Sequence, residues 1–60
     1  MEKQWLIIES AGLAAEKIIS RDKTFSNAAS EMIYRYPGDE VDRLNVAIAL
    51  ERDGVITFDF

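Results

Sequence analysis

The 60-residue sequence contains no cysteine and no histidine, and it has only one proline and one tryptophan. The first two absences exclude disulfides, the usual zinc ligands and nucleophilic triads built on cysteine or histidine. Long apolar runs are also lacking, because Trp5 to Ile8 is the longest run of large apolar residues near the N-terminus. A signal peptide needs an apolar stretch of about 7–15 residues and a membrane helix needs about 20. We therefore expect a cytoplasmic protein that does not enter the membrane.

The length of the chain predicts a single domain, residues 1–60. A chain this short buries only about 60% of the surface that its unfolded form exposes. Without disulfides or a metal, such a domain depends on efficient packing or on self-association, so a homodimer is one expectation. The composition, 48% hydrophobic and 30% charged, is typical of a folded domain.

The net charge is −4, from eleven acidic and seven basic residues. Binding to a nucleic-acid backbone requires clustered lysine and arginine, whereas the basic residues here are scattered. Direct nucleic-acid binding is therefore not expected. An acidic chain suits a protein partner with a basic surface, although net charge alone defines no site.

Three segments precede the C-terminal hairpin. Residues 4–9 form an apolar run rich in β-formers, which predicts a strand. Ser10 is a suitable N-cap for a helix over residues 11–20, where alanine and isoleucine recur at helical spacing. Thr24 is the N-cap of a second helix that ends before Pro37-Gly38. Its predicted buried stripe is Phe25, Ala28, Ala29, Met32, Ile33 and Tyr36. Residues 39–43 fit either a loop or a single helical turn.

Residues 44–60 alternate in hydrophobicity on both sides of Arg52-Asp53-Gly54, which predicts a β-hairpin. A two-residue Asp53-Gly54 loop would pair Leu50 with Thr57 and mix the large and small residues on each face. A three-residue loop keeps the large residues on one face, so we predict it, with Gly54 at positive φ. The predicted pairs are Leu50–Ile56, Ile48–Phe58 and Val46–Phe60.

These segments give a β-α-α-β-β chain of the α+β class. We expect a three-stranded, mainly antiparallel sheet with two helices packed on one face. The strand Leu44–Glu51 suits the central position because it is the least polar on both faces; a sheet with the last strand in the centre is also buildable.

Catalytic residues are not apparent. Asp39, Glu40 and Asp42 cluster, but they lack the alternating oxygen ligands of a calcium loop and are typical of a solvated loop. A domain of this size rarely accommodates a small-molecule pocket of about 300 Å³ or more. We predict no enzyme activity, no cofactor and no metal site.

The candidate partner-binding residues are apolar or aromatic side chains that the predicted core does not use. Ala47, Ala49 and Thr57 are predicted on the sheet face away from the helices, with Trp5 beside them near the edge. Tyr34 is predicted at the centre of the second helix's polar face. Tryptophan and tyrosine are enriched in binding surfaces. The alternatives are that Trp5 packs under a helix end and that Tyr34 is an ordinary exposed aromatic.

The sequence therefore predicts a small acidic protein-binding module that acts by surface docking. Small α+β proteins of this kind are often stoichiometric inhibitors or adaptors carried by phages or mobile elements, for example against a host defence complex. This association rests on the general type of protein and not on any residue of the sequence. The alternative is a structural homo-oligomer or a small subunit of a larger complex.

Overall fold

The structure, a computed structural model, describes residues 3–58 as an antiparallel sheet with two helices. Along the chain the elements are β1 (Lys3–Glu9), β2 (Lys17–Asp22), α1 (Phe25–Arg35), α2 (Glu40–Arg43), β3 (Ala47–Arg52) and β4 (Val55–Phe58). The four strands are ordered β2-β1-β3-β4, and all neighbours are antiparallel. The α+β class and the central position of β3 between β1 and β4 are confirmed. The prediction of three strands is wrong, because β2 adds a fourth.

The predicted helix over residues 11–20 is replaced by a turn and β2. Ser10 does not cap a helix, because its φ is 58° and its backbone N–H donates to the carbonyl of Leu44 at 3.0 Å. The register between β1 and β2 shifts so that Ile7 pairs with Ser20 and Ile8 pairs with Ile18. Ile19 is therefore the extra residue of a β-bulge.

Helix α1 forms where it was predicted. The Thr24 hydroxyl accepts a hydrogen bond from the Asn27 backbone N–H at 3.1 Å, as an N-cap should. At the other end, the hydroxyl of the buried Tyr36 donates to a Glu9 carboxylate oxygen at 2.9 Å and ties the helix to β1. Burial and this hydrogen bond to Glu9 raise the Tyr36 pKa.

Two parts of the predicted α1 stripe are not buried. Ala28 is fully buried, but Phe25 remains 47% exposed and Ile33 remains 68% exposed. The buried side of α1 is therefore narrower than its apolar pattern predicts. Residues 39–43, for which the sequence allowed two structures, contain the short helix α2.

The hairpin turn has two residues, so the prediction of a three-residue loop is wrong. Arg52 pairs with Val55, and Leu50 pairs with Thr57. Asp53 and Gly54 have φ of 54° and 81°, and positive φ at both central residues is the signature of a type I′ turn. The positive φ predicted for Gly54 is confirmed. Val46 precedes β3, and its predicted partner Phe60 lies outside the described residues.

The reason for this register is that both faces of the sheet carry a core. On the helix side, the buried residues are Ile7, Ala28, Tyr36 and Val46. On the other face, here called the back face, Leu6, Ile8 and Ala49 are fully buried, with Ala11 and Phe58 packed against them. Since each face needs large residues, the hairpin places Ile48 and Leu50 on the helix side and Ile56 and Phe58 on the back face.

Candidate protein-docking surface

Helix α1 covers only half of the helix side. It packs on β1 and β2, its main contacts among the strands. Neighbouring strands lie about 4.8 Å apart and packed helices about 8–10 Å apart, so one helix covers about two strands. From Leu50 to the turn, β3 and β4 therefore keep a helix side that α1 does not cover.

The uncovered part of the sheet is largely apolar. We call it the open half; it consists of Leu50 and Arg52 of β3 and Val55 and Thr57 of β4, whereas Ile48 packs against the helix-side core. Val55 is 64% exposed, Thr57 is exposed, and Leu50 is half-buried. A shallow depression of about 310 Å³ lies over Leu50, Val55 and Thr57 and reaches Arg52 and Asp53 at the turn.

Beside this depression, but outside its lining, lies a ridge on α1. The Glu31 carboxylate lies toward β2, where hydrogen bonds from Ser20 and then Arg35 hold its pKa below the ordinary value. Ala29 and Ile33 are each two residues from Glu31, about 200° around the helix, so they lie on the opposite side, toward β3. Phe25 continues the ridge by one more turn. The open half is thus the floor of a groove beside an apolar helix flank.

The tryptophan lies at the base of this ridge. Trp5 pairs with Leu50 across β1 and β3, and its ring meets that of Phe25 edge-on, with centroids 5.2 Å apart at 73°. Such edge-to-face pairs contribute about 0.5–1.5 kcal/mol beyond the area they bury. Trp5 is only partly buried. It therefore packs under the start of α1 and also borders the groove.

Two basic residues stand at the turn end of the groove. Lys3 of β1 is directly opposite Arg52 of β3, and strand alternation puts both on the helix side. Like charges directly opposite each other are unfavourable. Neither side chain has an ion pair within residues 3–58, whereas Arg21 binds Glu51 and Arg35 binds Glu31. These two cations outnumber the one carboxylate in the lining, Asp53, so this rim is positive although the chain as a whole carries −4.

More of the back face is buried than the sequence predicts. The Arg21 guanidinium and a Glu51 carboxylate oxygen are 2.9 Å apart, and the Gln4 side-chain amide donates to the same oxygen. Ala49, predicted on an exposed patch, is fully buried, and Ala47 is partly buried. The back face therefore holds a second core instead of an alanine-lined docking face.

The single sheet face predicted for Trp5, Ala47, Ala49 and Thr57 is not present, so that placement is wrong. Trp5 and Thr57 lie on the helix side, whereas Ala47 and Ala49 lie on the back face. Tyr34 is 88% exposed on the outer side of α1. The two-residue turn is what separates Thr57 from the alanines. A role in binding stays a prediction for each of the five.

The residues that sequence reasoning missed are Leu50, Val55, Ile33, Lys3 and Arg52. The signal that was available is the Asp53-Gly54 pair, which favours a type I′ turn and puts Leu50 beside Thr57. Ile33 gave no signal, because its position in the helical stripe predicts burial.

Comparisons with known proteins do not assign this chain to a family. No protein-family model matches the chain, and no curated protein or solved structure matches it at a significant level. Within residues 3–58, no group of three or more carboxylates is placed to hold a metal ion. In the same range, none of the helices combines the length and apolarity that crossing a bilayer requires.

Proposed function

We propose that this protein is a protein-binding module that acts by surface docking, as an inhibitor or an adaptor, and that the open half is its docking surface. The observation that carries the proposal is a pair of exposed β-branched residues, one on the open half and one on the neighbouring flank of α1: Val55 is 64% exposed and Ile33 is 68% exposed. Apolar groups grouped in a concave, polar-rimmed site mark interaction surfaces more often than single exposed residues do.

The chemistry of the groove favours binding over catalysis. Its floor presents Leu50, Val55 and Thr57, and the nearest charged groups at the turn are Arg52 and Asp53. General acid–base or nucleophilic catalysis needs side chains within hydrogen-bond reach of one another. No hydrogen bond or ion pair joins Arg52, Asp53 and Thr57 to one another in the described structure.

A matched pair of substitutions on β4 tests the docking surface. Val55→Glu places a charge in the open half opposite Arg52, and Ile56→Lys places a charge on the back face opposite Glu51. Each new charge faces an opposite charge, so both variants should fold. Proteins cross-linked to the parent chain in a host lysate should be lost with Val55→Glu and retained with Ile56→Lys. Equal capture by Val55→Glu and the parent would contradict the proposal.

The structural homo-oligomer remains the second candidate, because the same exposed residues are suited to cover one another in a second copy. The amount of apolar surface left open is large for a chain whose core is this small. Sedimentation at increasing concentration distinguishes the two. Self-association that Val55→Glu abolishes would favour the oligomer, and a monomer throughout would favour the binding module.

A further inference from the structure

We propose that the occupant of the open half is one amphipathic α-helix of a partner protein, with carboxylates at the end that meets Lys3 and Arg52. This inference rests on the proposed function and specifies the chemistry of the partner.

The dimensions of the groove correspond to one helix. A four-stranded sheet has room for two helices side by side, since strands are about 4.8 Å apart and helices about 8–10 Å apart. Helix α1 occupies the place over β1 and β2. The remaining place, over β3 and β4, is as wide as one helix. Along the strands, the open surface reaches from Leu50 to the turn and over the four residues of β4, which extend for about 13 Å, the length of about 9 helical residues.

The lining of the groove suits an apolar helical stripe. The floor is Leu50 with Val55, and the exposed Phe25 and Ile33 of α1 lie beside it, outside the lining of the depression. A partner helix with apolar residues at i, i+3, i+4 and i+7 would cover this floor and pack beside α1, as helices bound on apolar surfaces do. A strand added to β4 would extend the sheet sideways and leave this floor uncovered.

The rim specifies the charge of the partner. Lys3 and Arg52 are exposed, directly opposite each other and without an ion pair in residues 3–58. A carboxylate placed between them would replace a repulsion with two attractions. Charge complementarity of this kind steers encounter and fixes the register of docking.

A second copy of the chain does not supply such a helix. Helix α1 has one carboxylate, Glu31, and that group is already paired with Arg35 at 2.7 Å. Helix α2 does carry Glu40 and Asp42, but its four residues form about one turn. The charge of the groove therefore favours a different protein.

The test uses a displayed library of helical peptides of about 15 residues, with every surface position randomised. The full chain is the target at low salt, with the folded Val55→Glu chain as counter-selection. We expect enriched peptides with an apolar i, i+3, i+4, i+7 stripe and aspartate or glutamate concentrated at one end. Fluorescence of Trp5, the single tryptophan, then reports their affinity. Lys3→Glu combined with Arg52→Glu should weaken binding at least about tenfold and should favour peptides with lysine at that end.

Three results would overturn the inference: no enrichment over the counter-selection, enriched peptides without a charge preference, or affinity that the double charge reversal leaves unchanged. Each is distinguishable from failure of the proposed function. If lysate partners still depend on Val55 while no peptide is enriched or the enriched peptides show no acidic end, the docking surface stands and its assignment to an acidic-ended helix fails. If the lysate partners are indifferent to Val55→Glu, the docking surface itself is wrong.

Discussion

Replacing Gly54 separates backbone strain from steric clash. Gly54 has φ of 81°, and a Cβ built there meets no atom within 4 Å. An L-residue at this position would therefore lose stability only through its backbone conformation. Because the chain has 60 residues, chemical synthesis can also introduce D-alanine, for which positive φ is favourable.

The two alanines should change stability in opposite directions. The left-handed conformation costs an L-residue about 1–2 kcal/mol. Alanine of either hand restricts the unfolded chain more than glycine does, which raises the free energy of unfolding by about 0.4–1 kcal/mol. Gly54→Ala should therefore destabilise the fold by about 1 kcal/mol, and D-alanine should stabilise it by about 0.5 kcal/mol.

Thermal melts monitored by circular dichroism measure the difference in stability between the two variants. In a domain of this size, 1 kcal/mol shifts Tm by about 4–8 °C. The L-variant should melt below the parent and the D-variant above it. If both alanines shift Tm in the same direction, the type I′ turn at Asp53-Gly54 is wrong, and so is the register that places Leu50 and Thr57 in the open half.

Further predictions concern α1 and its attachment to the sheet. Ala28→Glu should prevent stable folding, because Ala28 is fully buried against the sheet, whereas Ser30→Glu on the exposed side should change the urea midpoint little; equal midpoints would contradict the helical phase. Tyr36→Phe should cost about 1 kcal/mol in urea melts by removing the hydrogen bond to Glu9, and an unchanged midpoint would show that the bond contributes nothing. Because folding raises the Tyr36 pKa, the neutral hydroxyl stabilises the fold at pH values below the ordinary tyrosine pKa, and this stability is lost as pH rises through the folded pKa. The parent should therefore lose stability above about pH 10, and Tyr36→Phe should lose less. Parallel pH curves for the two chains would contradict this assignment.

Local signals in the sequence predicted the elements that local interactions determine. Thr24 followed by an apolar stripe predicted α1, and the Thr24 hydroxyl does cap it. The apolar run at residues 4–9 predicted β1. Alternation around Gly54 predicted a hairpin, and the even hydrophobicity of its first strand predicted that β3 lies in the centre of the sheet.

The errors come from features that only the tertiary structure determines. Strand β2 contains a bulge at Ile19, which breaks the period-two pattern by which a strand is recognised. The alanines before it then fit a helical period better. The turn was predicted wrongly because burial on one face was assumed, whereas Leu6, Ile8 and Ala49 form a core on the back face. That error also placed Thr57 beside Ala47 and Ala49.

The candidate site was not predictable for the same reason. Its floor depends on Leu50 being opposite Thr57, which follows from the turn, and on α1 packing mainly on β1 and β2, which no periodicity reveals. Lys3 and Arg52 are 49 positions apart in the chain and become neighbours only through the β1–β3 register. The partner-binding character predicted from the sequence thus remains a proposal, located on a different surface.

The most direct test of the docking surface is a methyl NMR titration of the labelled parent chain with a partner recovered in the cross-linking experiment. Val55 and Ile56 are adjacent in β4 but lie on opposite faces, so their methyl signals report each face separately. We predict that the signals of Val55, Leu50 and Ile33 shift or broaden on binding while those of Ile56 and Ile18 stay in place. Shifts concentrated at Ile56 and Ile18, with Val55 and Ile33 unchanged, would contradict the account and move the docking surface to the back face.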